Sequence, residues 1–123
     1  NAYDNTILYT AYILSRLIDK LDAHRDRIDS FLFYASDHGE SLGENGIYLH
    51  GLPYTLAPEA QKDVPFIVWM SQGFRLSHSI DAEAHQYFTS QIVSHDNISH
   101  TLMGFYDVNA MSYRQDLDLF ARM

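Results

Sequence analysis

An aspartate and a histidine stand side by side at positions 37 and 38, directly after the apolar run Phe31–Ala35. A glycine-rich segment follows them, and a second histidine, His50, comes twelve residues after the first. A carboxylate oxygen and an imidazole nitrogen are both good zinc ligands, and a zinc ion in a protein takes about four ligands. Asp37 and His38 are therefore predicted to be two ligands of a metal site.

The rest of the ligand set stays open, because spacing alone completes no site. Glu40, Glu44 and His50 are within reach of the same loop. A purely structural role for Asp37 also stands, since an aspartate after a strand often forms a turn through a bond from its side chain to the backbone. The following Gly39 permits a backbone conformation that a Cβ would obstruct. Metal ligation and turn formation are thus the two interpretations of this motif.

Apolar periodicity predicts the elements that would position these residues. The segment after His38 is predicted to be a long loop, and Ser71–Ser79 a connector. The other predicted elements are three helices and two strands: helices at Tyr3–Leu21, Asp81–Val93 and Ser94–Val108, and strands at Phe31–Ser36 and Val64–Met70.

The order of these elements indicates an α/β fold, a layered sheet with helices on both faces. Both strands are continuous apolar runs, as expected in a parallel sheet that is covered on each side. In open α/β sheets, ligands bind beyond the carboxyl ends of the strands. Asp37 and His38 lie at such an end, which is where a site is expected.

Composition narrows the function classes. The chain has 123 residues and a formal charge of −8, with only eight Lys and Arg. This balance excludes binding to nucleic acid, which requires clustered basic residues, and disfavours an anionic membrane surface. The longest apolar runs are far shorter than the roughly 20 residues of a membrane-spanning helix. Because the chain begins with Asn1 and has no signal peptide, we expect a soluble fragment of a larger protein.

Several motifs resemble one known family. Ser36-Asp37-His38-Gly39 at a strand end is similar to the metal-binding motif of the alkaline phosphatase and sulfatase superfamily. The longer segment SDHGESLGENGIYLHGLPYTLAPEAQKDVPFIVW resembles the lipid A phosphoethanolamine transferases, including those that confer colistin resistance. The opening NAYDNT and the later SHDNISHTLMG resemble the same group, so the likeness extends to about Val108.

The resemblance implies a zinc enzyme at the periplasmic face of the bacterial inner membrane. Such enzymes transfer phosphoethanolamine from phosphatidylethanolamine to lipid A through an intermediate on a threonine, and thereby confer resistance to polymyxins. Residues 1–123 would then be the C-terminal portion of the periplasmic catalytic domain. The membrane helices, the nucleophilic threonine and a glutamate zinc ligand would lie upstream, so this fragment by itself is expected to be inactive.

The resemblance also assigns roles to individual residues. Asp37 and His38 match two ligands of the catalytic zinc, and His50 matches a histidine that contacts the substrate phosphate or a second zinc. Glu40 and Glu44 are interpreted as residues that contact the metal ligands without binding the metal, or as residues that close the loop. No residue of this chain matches the nucleophile.

Two other hypotheses accompany this one. The chain could belong to a sulfatase or phosphatase of the same superfamily, or it could act only as a folding and association unit. The expected partners are phosphatidylethanolamine, lipid A and the N-terminal half of the domain. A sheet edge or apolar face left uncovered is expected to promote self-association.

Overall fold

A computed structural model describes residues 2–121, except for the side chains of residues 82, 84, 85 and 87. Contacts divide the chain into two compact units: Asn1–Phe31 with Met70–Met123, and Leu32–Trp69. The protein is a mixed α/β chain whose elements are helices α1 (Ala2–Asp22), α2 (Glu59–Lys62), α3 (Gln72–Ser77), α4 (Ala82–Ser90) and α5 (Asp96–Phe105), and strands β1 (Phe31–Ala35), β2 (Ser41–Leu42), β3 (Tyr48–Leu49) and β4 (Phe66–Met70). Single 3₁₀ turns occur at Glu44–Gly46 and Gln115–Leu117.

Helix α1 confirms the prediction to within one residue at each end. Apolar periodicity predicts that this helix buries a stripe of five residues: Ile7, Ala11, Leu14, Ile18 and Leu21. The last three are half-buried, whereas Ile7 and Ala11 are exposed. No residue of the helix is fully buried. Among the described residues, no helix combines the length and apolar character that crossing a bilayer requires.

Strands β1 and β4 form a two-stranded sheet. The prediction that they run parallel is wrong. The N–H of Ser36, just after β1, donates to the C=O of Pro65, just before β4, at 3.4 Å, so the end of one strand meets the start of the other. A continuous apolar run indicates that a strand is covered on both faces, but it does not indicate the direction of the strand relative to its neighbour. For this reason the direction was predicted incorrectly. All five residues of β1 are half-buried.

The predicted long loop after His38 contains a small hairpin. Strands β2 and β3 pair antiparallel, with Ser41 opposite Leu49 and Leu42 opposite Tyr48. The turn between them uses left-handed backbone at Gly43 and Gly46, with φ of 122° and 76°. Two-residue strands are too short to give an alternating pattern, so periodicity could not reveal this hairpin.

Phe74 and Ile80 form the buried core of the first unit. Phe31 packs against Phe74 and Phe105, with ring centroids 5.0 and 5.3 Å apart. The segment predicted as a connector contains α3, which Ser71 caps: its Oγ accepts the N–H of Phe74 at 3.2 Å. Six residues are too few for helical periodicity to be recognised, and the cap is the only strong signal.

The last two helices are shorter than predicted. The sequence predicts an apolar side of α4 that includes Ala84 and Tyr87, whose side chains lie outside those described. For α5 the sequence predicts Ser94 or Asp96 as the N-cap, whereas His95 occupies that position. The segment beyond α5 contacts that helix, because the hydroxyl of the fully buried Thr101 accepts the N–H of Leu119 at 3.0 Å.

Candidate metal centre

Asp37 follows β1 by two residues, and its two carboxylate oxygens have different surroundings. Oδ1 accepts the backbone N–H of the next residue, His38, at 3.1 Å. Oδ2 lies 3.8 Å from Nε2 of His38, and the side chain is 89% exposed. The local bond to the backbone therefore uses one oxygen and leaves the other available, so a structural role and metal ligation are compatible at Asp37.

His38 is oriented by its own backbone. Its Nδ1 lies 2.9 Å from the C=O of Gly39, so this nitrogen carries the proton in the neutral ring and Nε2 presents its lone pair. Metal-bound histidines characteristically make such a bond with the other ring nitrogen. The 3.8 Å between Nε2 and Asp37 Oδ2 is close to the spacing of about 3.4 Å expected for tetrahedral ligands of zinc.

The hairpin brings His50 back to the start of the loop. Since Ser41 pairs with Leu49, extending the register by one position places Glu40 opposite His50. The contact follows: His50 Nδ1 lies 3.1 Å from Glu40 Oε2. The rings of His38 and His50 stack with their centroids 3.7 Å apart. His38, Glu40 and His50 thus each offer one ligand atom, and these atoms all lie within 4.8 Å of one another.

Glu40 supplies an independent test of whether a cation fits. Its Oε1 is buried and has no hydrogen-bond partner within the described part of the chain. Burying a charged oxygen without a partner is costly, whereas a nearby cation would compensate that cost. Because carboxylate and imidazole groups are also the chemical types that bind zinc, the residues present fit a zinc ion.

Glu44 is placed differently from the other candidates. It lies at the hairpin turn, where its Oε2 accepts the N–H of Leu42 at 2.8 Å. Hydrogen bonds from its own backbone N–H and that of Leu42 hold the pKa of Glu44 below its usual value. Its carboxylate, like that of the predicted ligand Asp37, is not part of the cluster of His38, Glu40 and His50. Its hydrogen bond to the backbone of Leu42 holds the hairpin turn closed.

The sequence profile of the Sulfatase family matches residues 1–108. The chain belongs to the sulfatase family. In this family member, the matched region includes the whole cluster and every described strand.

Known relatives of this sulfatase-family chain are phosphoethanolamine transferases. It is 43% identical over 120 residues to phosphoethanolamine transferase EptA of Salmonella typhimurium, an alignment that covers 97% of this chain and 22% of that protein. It is 39% identical over 110 residues to phosphatidylethanolamine transferase Mcr-1 of Escherichia coli, covering 89% of this chain and 19% of that protein. The resemblance noted in the sequence is thereby confirmed, and the chain spans about a fifth of the length of these relatives.

A solved structure agrees over almost the whole chain. The soluble domain of lipooligosaccharide phosphoethanolamine transferase A from Neisseria meningitidis matches with a TM-score of 0.90 and 41% identity. The match covers 98% of this chain and 36% of that domain. The periplasmic domain of phosphoethanolamine transferase EptC from Campylobacter jejuni matches with a TM-score of 0.82 and 43% identity, over 96% of this chain and 36% of that one.

Proposed function

We propose that this chain is the C-terminal part of the catalytic domain of a zinc-dependent phosphoethanolamine transferase. The observation that carries the proposal is the convergence of Asp37 Oδ2 and His38 Nε2, 3.8 Å apart at the end of β1. The relatives support the identity of the group transferred, since the names of EptA and EptC specify phosphoethanolamine. In this proposal the domain adopts the layered sulfatase-like sheet, to which this chain contributes β1 and β4.

Asp37 and His38 would hold the zinc ion, which supplies Lewis-acid stabilisation of charge on a phosphoryl group when bound. Glu40 accepts the Nδ1 proton of His50, so that His50 Nε2 is directed away from Glu40. From that nitrogen His50 would donate to a phosphoryl oxygen when protonated, or hold a second zinc when neutral. Glu40 orients His50 without binding the zinc ion, and Glu44 closes the loop. Phosphoryl transfer depends mainly on positioning and charge stabilisation, which a strand end can provide.

The donor and acceptor in this proposal are phosphatidylethanolamine and lipid A. Mcr-1 is named for the former, and a further relative, 43% identical over 84 residues, is a Kdo(2)-lipid A phosphoethanolamine 7''-transferase. The site would face the periplasm at the inner membrane, as the description of EptC as a periplasmic domain supports. The nucleophilic threonine would come from the preceding part of the domain, and the physiological result would be resistance to polymyxins such as colistin.

Zinc retention and transfer test this proposal together. We expect Asp37→Ala and His38→Ala, made in the full-length protein, to lose zinc as measured by elemental analysis after dialysis. Transfer of phosphoethanolamine to lipid A in vesicles, followed by mass spectrometry, should fall to background. Asp26→Ala and His24→Ala, at exposed positions of the connector after α1, are the matched controls. Full activity in either Ala variant of the motif would refute the proposal.

Activity assays distinguish the two alternative functions from the proposed transferase. A sulfatase or phosphatase would release sulfate or phosphate from soluble aryl esters without requiring a lipid acceptor. A purely structural unit would bind the remainder of the domain and contribute no group to the reaction. Appreciable product release by the isolated 123-residue chain would exclude this last alternative.

A further inference from the structure

Gln61 is one of the few buried polar residues among those described, with 7% of its surface exposed. It lies in the four-residue helix α2 and carries no charge. Placing a side-chain amide in the interior is costly unless it is hydrogen-bonded, whereas an apolar side chain of similar length would avoid that cost. The contacts of Gln61 therefore indicate what the amide contributes.

Those contacts lie on both sides of Glu40. The backbone C=O of Gln61 accepts the N–H of Gly39 at 3.0 Å. Its side-chain Nε2 donates to the hydroxyl of Ser41 at 2.9 Å, and Ser41 is only 2% exposed. One residue of α2 thus bonds to the residue before Glu40 and to the residue after it.

Gly39 shows how closely this segment lies against α2. A Cβ added at Gly39 would clash with the backbone oxygen of Ala60, at a separation that real Cβ atoms do not show. The segment Gly39–Ser41 therefore rests directly on the backbone of residues 60 and 61. Its position is set by α2 in addition to the hairpin.

The hairpin register carries this restraint to His50. Ser41 pairs with Leu49, and the next position along the same register is Glu40 opposite His50. The 3.1 Å contact between Glu40 Oε2 and His50 Nδ1 is thus adjacent to the pair that Gln61 holds. A shift of Ser41 would move the Glu40 carboxylate relative to Nδ1 of His50.

We propose that Gln61 is a positioning residue of the site: through Gly39 and Ser41 it fixes Glu40, and Glu40 in turn fixes the tautomer and direction of His50. Its importance for catalysis rests on the proposed transferase function, whereas its control of His50 does not. Gln61 does not contact the reacting groups in this role. It acts on them through the loop.

The test compares variants that remove the bond with a variant that preserves one. Gln61→Met keeps the length of the side chain and removes the donor, and Ser41→Ala removes the acceptor. In Gln61→Glu the hydroxyl of Ser41 can donate to the new carboxylate, so this variant retains a bond. Gln72→Met, at an exposed glutamine of α3, is the matched control. The first readout is ¹⁵N NMR of the His50 ring in the histidine-labelled full-length protein, and the second is kcat and KM for transfer.

In spectra recorded at about pH 9, where an ordinary imidazole is neutral, we expect separate ring signals for a protonated Nδ1 and an unprotonated Nε2 of His50 in the wild type and in Gln72→Met. In Gln61→Met and in Ser41→Ala these signals should move toward their average as the two tautomers mix, and kcat/KM should fall about tenfold. The double variant should lose no more than either single variant, and Gln61→Glu should recover the separate signals.

Unchanged His50 signals in both Gln61→Met and Ser41→Ala would overturn the inference. If Gln61→Met fails to fold, Ser41→Ala and Gln61→Glu decide the matter by the same spectra. A wild-type protein that shows the expected spectra but no transfer would refute the proposed function and leave the control of His50 by Gln61 intact. An additive loss in the double variant would show that the two residues act separately, which also contradicts the inference.

Discussion

At the level of single residues, Glu40 is the most informative side chain. One of its carboxylate oxygens bonds to His50, while the other is buried without a partner among the described residues. Because one oxygen of Glu40 has no partner, the carboxylate can still interact with a cation. Its negative charge also contributes to the zinc affinity of the site when Glu40 contacts only His50 and not the metal. The removal of that charge should therefore weaken metal binding without breaking the hairpin.

We expect Glu40→Gln to lower zinc affinity by about 10- to 100-fold, because the variant keeps the shape of the side chain but loses its negative charge. Isothermal titration of the full-length protein with zinc measures the change. Glu83→Gln, at an exposed position in α4, should bind zinc as the wild type does. Equal affinities in the two variants would show that the Glu40 carboxylate has no role at the metal.

Tyr113 gives a prediction about pH. Its hydroxyl donates to Oδ2 of the buried Asp118 at 2.7 Å, and this bond, with some desolvation, raises the pKa of Tyr113 to about 12. The native state therefore holds the phenolic proton more tightly than the unfolded state, whose pKa is about 10. The stabilisation is complete below pH 10 and is lost as the pH rises through about 12.

Urea unfolding at several alkaline pH values tests this linkage. The free energy of unfolding of the wild type should decline between about pH 10 and pH 12 by more than that of Tyr113→Phe, which has no phenolic proton to lose. Identical pH dependence in the two proteins would mean that the bond to Asp118 does not form in solution.

At the level of elements, Ser71 connects the end of β4 to α3. Its hydroxyl accepts the N–H of Phe74 as a helix cap and also the N–H of Ser30, at 3.2 and 3.1 Å. Its own N–H donates to the C=O of Ser30 at 2.9 Å. Ser71 is 1% exposed, so water cannot replace these bonds. The hydrogen bonds of this small side chain thus fix the backbone at the start of α3, the helix that carries the core residue Phe74.

Ser71→Ala should lower the free energy of unfolding by about 1–2 kcal/mol, since a lost N-cap costs about 1 kcal/mol and the N–H of Ser30 also loses its acceptor. Urea denaturation followed by circular dichroism provides the measurement. Ser99→Ala, at an exposed position within α5, should have little effect because alanine is the better helix former. A neutral Ser71→Ala would show that the cap is dispensable.

At the level of the whole molecule, α1 exposes an unusually apolar surface. Leu8 and Tyr12, which lie one turn apart, are 67% and 57% exposed. Together with Tyr9, whose ring stacks on that of Tyr12 with centroids 6.4 Å apart, they form an apolar face on a helix that has no fully buried residue. The chain corresponds to 36% of the matched soluble domain from Neisseria meningitidis, so it carries only part of the surface that such a domain packs together.

We expect the 123-residue chain to self-associate through this face, and sedimentation velocity should show a weight-average mass that rises with concentration. The double substitution Leu8→Lys and Tyr12→Lys should reduce this association because it places charges within the apolar face. Gln86→Lys, at an exposed polar position of α4, adds a charge outside that face and should leave the association unchanged. Monomeric wild-type protein at all concentrations would contradict the prediction.

Features that depend on local pattern or on a long motif can be predicted from the sequence alone. The span of α1 follows from apolar periodicity over 21 residues, and β1 from a continuous apolar run. Asp37, His38 and His50 are predicted as site residues because the motif is specific enough to resemble a known family; the family is confirmed, and the roles of these residues stay predictions. Spacing alone would have left Asp37 open between turn former and ligand.

Features that depend on pairing between distant residues become visible only in the folded chain. The antiparallel direction of β1 and β4 rests on hydrogen bonds that an apolar run does not encode. The contact of Glu40 with His50 depends on the register of two strands too short to show alternation. The burial of Gln61 against Ser41 joins residues 20 positions apart. Hydrophobic pattern specifies which face of an element is covered, whereas register, direction and hydrogen-bond partners are fixed only when the elements pack together.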